Sequence, residues 1–283
     1  MKTNELEHNI TQVYDDFMAK MSISKNDGIL GRIDNKKYVT QTVRFSGFPY
    51  IGADYAFAKK KILFVGLDLG IDECREDNTY HSIKSRRQCI ARDEDRCTGL
   101  VGYNPHISGT YAVALYILKD YYGWEESWER LSERNTLTSK KAIDILKNEL
   151  PNNVLDYIAF TNIHKFVTKC RGCNKNKTER CWSEKCNESY TLTKRSGNEN
   201  RKWYSENNEL QFFMKEIETL NPDIIVFQGS AFRIPKEKIN ELKSKHKIIF
   251  SHHPSYWGNV KLQEINTNPN RIAYAKKIVD MFI

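Results

Sequence analysis

The stretch "KKILFVGLDLG", residues 60–70, joins a lysine pair to an uninterrupted apolar run and a glycine turn. A short run without polar alternation predicts a strand that is buried on both faces. Three later stretches have the same form: "VLDYIAFTN" (154–162), "NPDIIVFQGS" (221–230) and "HKIIFSHHPS" (246–255). Helical patterns separate and flank them, at 9–21, 109–123, 140–150, 210–220, 235–245 and 268–283. The alternation predicts an α/β fold, a three-layer α/β/α arrangement around a central four-stranded parallel sheet.

The composition is that of a globular protein of one domain. The chain has 283 residues, of which 40% are hydrophobic and 28% charged. We expect residues 1–283 to form a single domain, with a helical and extended N-terminal region (1–59), an insertion (74–105) and a basic loop (165–205). No apolar run is long enough to span a membrane, and the N-terminus lacks a signal core. We therefore expect a cytoplasmic protein that does not bind a membrane. We also expect a monomer, because the sequence shows no sign of an obligate protein partner.

Positive charge is concentrated in one segment. The net charge is +8, and residues 165–202 carry eleven Lys and Arg against four Asp and Glu, a net charge of +7. A single basic segment on an otherwise balanced chain indicates a polyanionic partner. The alternative is a solvated loop that is basic for solubility alone.

The basic segment also carries a cysteine cluster, "CRGCNKNKTERCWSEKC" (170–186). Its polar surroundings cannot bury thiols as small apolar residues, so the spacing predicts a tetrahedral metal site that folds the loop by coordination. The spacing does not separate zinc from an iron–sulfur cluster, which uses the same four ligands. Four free thiols on a loop are the alternative. The predicted ligands are Cys170, Cys173, Cys181 and Cys186.

The strand ends indicate where the chemistry lies. In parallel sheets, functional residues collect at the carboxyl ends of the strands. Those ends read "GLDLG", "TNIHK", "QGS" and "HHPS", which bring an acid, an amide and a histidine to one edge. Structural alternatives remain for each: a loop-capping Asp68, a strand-capping Asn162 and a histidine satisfied at a strand end.

Three motifs, in this order, resemble the uracil-DNA glycosylase superfamily: "VGLDLGIDE" (65–73), "TNIHKF" (161–166) and "HPSY" (253–256). The last two are similar to its iron–sulfur branch, and the resemblance covers roughly residues 60–283. It implies a DNA glycosylase that hydrolyses the N-glycosidic bond of a flipped-out uracil or C5-modified pyrimidine and leaves an abasic site. Base-excision repair and defence against phage DNA with modified bases are both consistent with this activity.

The resemblance assigns catalytic roles to two residues. Asp68 would direct a water to the sugar carbon and stabilise the cationic sugar, with Asp72 and Glu73 as rivals. His253 would donate to the base oxygen as negative charge develops on it. Asn162 would present its amide to the Watson–Crick edge, and its rotation leaves uracil and cytosine-type edges open.

The remaining assignments concern the base and the DNA backbone. Tyr103 is expected to stack on the base, and Tyr256 and Trp257 are the candidates for the wedge that extrudes it. Substrate binding is also assigned to Gly66, Gly70 and Ser255. Phosphate contacts are assigned to Lys165, Arg171, Lys175, Lys177 and Arg180. If that segment is only solvated, the alternative DNA path runs past Arg86, Arg87, Arg92 and Arg96.

The chain departs from the family pattern at two points. Uracil-specific members resemble "GQDPY", whose tyrosine excludes C5 substituents, whereas this chain has Gly70 and leaves space there. In the iron–sulfur branch two ligands lie near the N-terminus, but here all four cysteines lie in one loop. The resemblance favours a [4Fe-4S] cluster, with Zn²⁺ as the alternative.

Two other functions fit parts of the sequence. A non-catalytic nucleic-acid-binding module would use the metal loop alone. A nucleotide-binding α/β enzyme is disfavoured because the turn "GLDLGIDE" is acidic and lacks a P-loop lysine.

Overall fold

The computed structural model describes residues 3–20, 30–32, 42–45, 48–66, 82–88, 90, 105–126, 128, 153–163, 165–167, 209–232, 234–251 and 271–282. The principal helices are α1 (Thr3–Lys20), α2 (Pro105–Tyr122), α3 (Glu209–Leu220), α4 (Lys236–Lys243) and α5 (Arg271–Phe282). The strands are β1 (Leu30–Arg32), β2 (Thr42–Phe45), β3 (Tyr50–Ile51), β4 (Ile62–Gly66), β5 (Ile158–Asn162), β6 (Phe166–Val167), β7 (Ile224–Gln228) and β8 (Lys247–Ser251).

The main sheet has five strands in the order β3-β5-β4-β7-β8. Strands β5, β4, β7 and β8 pair in parallel, and β3 pairs antiparallel to β5. The predicted mixed α/β class is confirmed. The prediction of a sheet of four parallel strands needs correction, because the antiparallel β3 extends the sheet to five. Two residues are too short a run to give β3 a readable periodicity.

Alternate residues of each strand supply two hydrophobic clusters. Leu63 and Val65 of β4 pack with apolar residues of α1 and α3, whereas Ile62 and Phe64 pack with those of α2 and α5. Successive side chains of a strand point to opposite faces. An unbroken apolar run is therefore what a strand buried on both faces requires.

A second, three-stranded sheet has the order β1-β2-β6 and is antiparallel throughout. The sequence analysis did not predict it. A further correction concerns the stretch 154–162, whose first part is a 3₁₀ helix, Val154–Tyr157, and not a strand. The Asn153 side chain accepts a hydrogen bond from the Leu155 amide at 3.0 Å and begins this turn.

The predicted helices agree with the described ones to within a few residues at most ends. The predicted ranges 109–123, 210–220, 235–245 and 268–283 correspond to α2, α3, α4 and α5. Helix α1 begins earlier than predicted, at Thr3, because Leu6 extends the buried face of Ile10, Tyr14 and Phe17. The predicted helix at 140–150 lies outside the described residues.

Candidate functional site at the carboxyl edge of the main sheet

Four strand ends meet at one edge of the main sheet. Gly66 of β4 pairs with Asn162 of β5, and Gln228 of β7 pairs with Ser251 of β8. Since β4 also pairs with β7 in parallel, the four residues form a row in the order Asn162, Gly66, Gln228 and Ser251. Of the residues assigned to the substrate, the structure describes Gly66 and Asn162 and places them side by side.

Gly66 allows the Asn162 side chain to lie against the strand end. A methyl group added at Gly66 would lie 2.4 Å from Asn162 Oδ1, well inside van der Waals contact. The Ile163 amide donates to the Gly66 carbonyl at 3.0 Å, which holds the chain after β5 close to β4. The half-buried Asn162 amide therefore lies beside a position that only glycine can fill without displacing it.

Gln228 and Thr110 extend the polar row, and the sequence analysis assigned neither of them a role. Gln228 Nε2 donates to Thr110 Oγ1 at 3.0 Å, and Thr110 is buried in α2. The only sequence signal was the position of Gln228 at the end of an apolar run in "NPDIIVFQGS". The pair ties the end of β7 to α2.

A buried polar cluster supports the β5 end from inside. We call Tyr14, Thr161, Lys165 and Glu216 the buried tetrad. The Lys165 ammonium lies 2.7 Å from Glu216 Oε2 and donates to Thr161 Oγ1 at 2.6 Å. Tyr14 Oη donates to Glu216 Oε1 at 2.5 Å, and Thr161 Oγ1 donates to the same carboxylate at 2.8 Å. The tetrad thus joins α1, β5, the turn after β5 and α3.

The position of Lys165 corrects the prediction that this residue contacts phosphate. Its side chain is 1% exposed, and its ammonium lies 5.4 Å from the centre of the Phe212 ring and 5.6 Å from that of Tyr14. An ammonium enclosed in this way cannot reach the DNA backbone. Burial lowers the pKa of Lys165, although the Glu216 carboxylate opposes that shift. Burial, followed by the charge of Glu216, raises the pKa of Tyr14 well above its usual value.

The tetrad also fixes the turn that follows Asn162. Thr161 directly precedes Asn162, and the Lys165 amide donates to Glu209 Oε1 of α3 at 2.9 Å. Contacts on both sides of the turn therefore restrain the Asn162 backbone. The sequence analysis did not predict that these polar residues lie together, and the signal that it missed was Glu216, a carboxylate on the apolar face of α3.

The alternative DNA path loses two of its four arginines. Arg86 is 8% exposed, so its guanidinium is not a surface group. Arg87 pairs with Glu7 of α1 at 2.6 Å and donates to the Ile51 carbonyl. Arg86 is therefore buried, and the partly exposed Arg87 is engaged by Glu7 and the Ile51 carbonyl. Arg92 and Arg96 lie outside the described residues.

Most assigned site residues lie outside the described residues, and their assignments stay predictions. They are Asp68, Gly70, Tyr103, Arg171, Lys175, Lys177, Arg180, His253, Ser255, Tyr256 and Trp257, with the cysteines Cys170, Cys173, Cys181 and Cys186. Among the described residues, no group of three or more His, Cys, Asp or Glu side chains could hold a metal ion. The described helices include none that is long and apolar enough to cross a membrane.

Comparison with protein-family models, with curated proteins and with solved structures found no match.

Proposed function

We propose that this protein is a DNA glycosylase that hydrolyses the N-glycosidic bond of an extruded uracil or C5-modified pyrimidine. The observation that carries the proposal is the Asn162 amide, which lies against Gly66 at the carboxyl edge of the parallel strands. Parallel sheets bind their ligands at this edge. The Asn162 amide offers an NH2 donor and a carbonyl acceptor, which together can meet the edge of a pyrimidine.

The proposed chemistry needs two further groups at the same edge. Asp68 follows Gly66 by two residues and would direct the attacking water while stabilising the cationic sugar. His253 follows Ser251 by two residues and would donate to the oxygen of the departing base. The proton balance is simple: water supplies a hydroxyl to the sugar carbon and a proton to the base. Tyr103 would stack on the base, and Tyr256 and Trp257 would fill the space that it leaves in the DNA.

DNA is the proposed partner, and the segment 165–202 is its proposed backbone contact because most of the net charge lies there. Four thiolates suit a [4Fe-4S] cluster or Zn²⁺ equally well, and either would fold the loop that carries Arg171, Lys175, Lys177 and Arg180. The proposal includes the three-layer α/β/α arrangement, a cytoplasmic location and a monomeric state.

The test is a panel of DNA substrates that contain uracil, hypoxanthine or C5-modified cytosines, scored for abasic sites. Wild-type protein should release the base from at least one of them, and Asn162→Ala should slow release by about 10-fold to 100-fold, the effect of one lost hydrogen bond in a closed site. Asn240→Ala, on the exposed face of α4, is the matched control and should leave the rate unchanged. Tight DNA binding without release from any substrate would favour the non-catalytic binding module.

A further inference from the structure

A basic cleft of about 470 Å³ lies at the opposite edge of the main sheet, where β4, β7 and β8 begin. Four chain segments line it: the residues before β4, the residues before β7, the residues around the start of β8 and the end of α2. Six of its lining residues matter here: Lys60, Lys61, Tyr121, Asp223, Lys245 and Lys247.

Backbone hydrogen bonds hold the cleft together. The Lys61 amide donates to Asp223 Oδ2 at 2.8 Å, and the Asp223 amide donates to the Lys61 carbonyl at 2.9 Å. The Lys247 amide donates to the Asp223 carbonyl at 2.9 Å. Asp223 therefore links the starts of β4, β7 and β8, which carry the four lysines of the cleft or lie next to them.

The charge of the cleft is unbalanced. Four lysines and one acidic residue line it, a net charge of +3. The Asp223 carboxylate already accepts the Lys61 amide, and its other oxygen lies 3.7 Å from the Lys60 ammonium. Ammonium groups brought to one concave surface repel each other and raise the local potential, which an anion would relieve.

The C-termini of nearby helices account for only one of the four cleft lysines. Lysines at helix C-termini commonly offset the negative end of the helix dipole. Here Lys119 and Lys243 lie in the last turns of α2 and α4, and Lys59 Nζ donates to the Tyr121 carbonyl at 2.9 Å. Lys245 lies two residues after the end of α4, where its amide donates to the Leu242 carbonyl at 3.1 Å. The other three cleft lysines, Lys60, Lys61 and Lys247, lie outside the helices.

Aromatic surface accompanies the charge. The Tyr121 side chain lines the cleft and is 41% exposed, with the Lys60 ammonium 5.7 Å from its ring centre. Exposed aromatic rings beside ammonium groups are typical of sites that bind nucleotides or single strands, where a base stacks while the phosphates meet the charges.

We propose that this cleft binds closely spaced phosphate groups, supplied either by a free polyphosphate ligand or by the backbone of single-stranded nucleic acid. The site lies about 15 Å, the length of β4, from the edge that carries Asn162. It is therefore independent of the proposed base-release site, and either proposal can fail without the other.

The test compares two quadruple variants of the full chain that lose the same charge. One is Lys60→Gln, Lys61→Gln, Lys245→Gln and Lys247→Gln. The control is Lys215→Gln, Lys238→Gln, Lys276→Gln and Lys277→Gln, whose side chains lie on helices outside the cleft. Inorganic tripolyphosphate and a single-stranded oligonucleotide are titrated into each by calorimetry at two salt concentrations.

The cleft variant should bind at least one probe about 10-fold or more weakly than the control variant does. This is the effect expected when four exposed charge contacts, each of them weak, are lost together. A loss of affinity for tripolyphosphate alone identifies a free polyphosphate ligand. A loss of affinity for the oligonucleotide, with a salt slope of binding lower by about two to three units, identifies the backbone of single-stranded nucleic acid. Equal affinities of the two variants for both probes would overturn the proposal.

Lysine-acetylation footprinting of wild-type protein provides a second test that does not depend on folding of the cleft variant. Lysine acetylation in the presence of saturating tripolyphosphate or oligonucleotide should be slowed at Lys60, Lys61 and Lys245, and unchanged at Lys215 and Lys238. Uniform acetylation at all five with both probes would again refute the cleft.

Discussion

Substitution of Gly66 by alanine tests the candidate site at its narrowest point. The added methyl group would lie 2.4 Å from Asn162 Oδ1, whereas ordinary contacts of this kind lie at 3.4–4 Å. The amide oxygen must therefore move by about 1 Å or more. Gly66 is not among the described glycines with positive φ, so alanine meets no backbone strain there.

We expect this variant to separate stability from activity. The displaced group is the end of a side chain, and replacing glycine reduces the entropy of the unfolded chain, so the free energy of unfolding should change by no more than about 1 kcal/mol. Under the proposed role of Asn162 in orienting the substrate, a displacement of about 1 Å should slow base release by about 10-fold to 100-fold, no more than removal of the amide does.

Two further variants serve as controls for the effect of the added methyl group. At Gly52 the added methyl would lie 2.2 Å and 2.3 Å from the Asp156 and Leu155 carbonyl oxygens, which are backbone and cannot yield. Gly52→Ala should therefore lower stability markedly. The double variant Gly66→Ala with Asn162→Ala should be no slower than Asn162→Ala alone, because the methyl acts through the amide.

Urea unfolding and single-turnover base release measure the two effects, and side-chain amide NMR resonances report the movement of Asn162 without reference to activity. An unshifted Asn162 amide in Gly66→Ala would refute the geometry. A shifted amide with an unchanged rate on an active substrate would refute the role of Asn162 in recognition.

Three further predictions follow from the tetrad, the tyrosines and the cysteines. Lys165→Met should lower the free energy of unfolding by about 3–5 kcal/mol, because Glu216 loses its buried partner, and Lys165→Met with Glu216→Gln should recover most of the loss in urea titrations. Folded-state pKa values above 10 for the buried Tyr14 and Tyr55 mean that stability is retained below pH 10 and falls above it by about 1.4 kcal/mol per pH unit for each tyrosine. Tyr116, with a pKa of about 12, adds to the loss of stability up to that pH. Urea titrations between pH 10.5 and 11.5 measure this loss. A free energy of unfolding that stays constant over this range would contradict raised pKa values for the three hydroxyls. Purified protein should carry about one metal centre, which Cys170→Ser with Cys173→Ser should remove. Absorbance of visible light would indicate an iron–sulfur cluster, and a colourless protein with bound zinc would indicate the alternative. Metal-free wild-type protein would contradict the proposed site.

The parallel strands could be predicted because their sequence requirement is local. A strand buried on both faces has to be apolar throughout, and "KKILFVGLDLG" and "NPDIIVFQGS" meet that requirement without reference to the rest of the chain. Strand β3 could not be predicted, because Tyr50–Ile51 forms a strand only by pairing with Phe160 and Ala159, which lie more than a hundred residues later in the chain. The 3₁₀ turn at 154–157 was missed for a related reason: its apolar residues satisfy a strand pattern equally well.

Lys165 shows where reasoning from charge fails. It stands at the head of a segment with a net charge of +7, so composition assigned it to the surface. The readable signal was in another helix. Glu216 occupies the apolar face of α3, between Phe212 and Phe213 on one side and Ile217 and Leu220 on the other. A carboxylate on a buried face requires a partner, and a cation elsewhere in the chain has to supply it.

That requirement bears on the candidate site. An isolated buried ion pair contributes little net stability compared with apolar residues of the same size, so stability alone is a weak reason for this arrangement. Its members, however, lie on both sides of Asn162: Thr161 directly before it and Lys165 three residues after it, with Tyr14 and Glu216 holding both from neighbouring helices. Directional hydrogen bonds restrain position more tightly than apolar packing does. The tetrad is therefore suited to holding the backbone on both sides of Asn162 in place, which would support the proposed recognition of a single base at this edge.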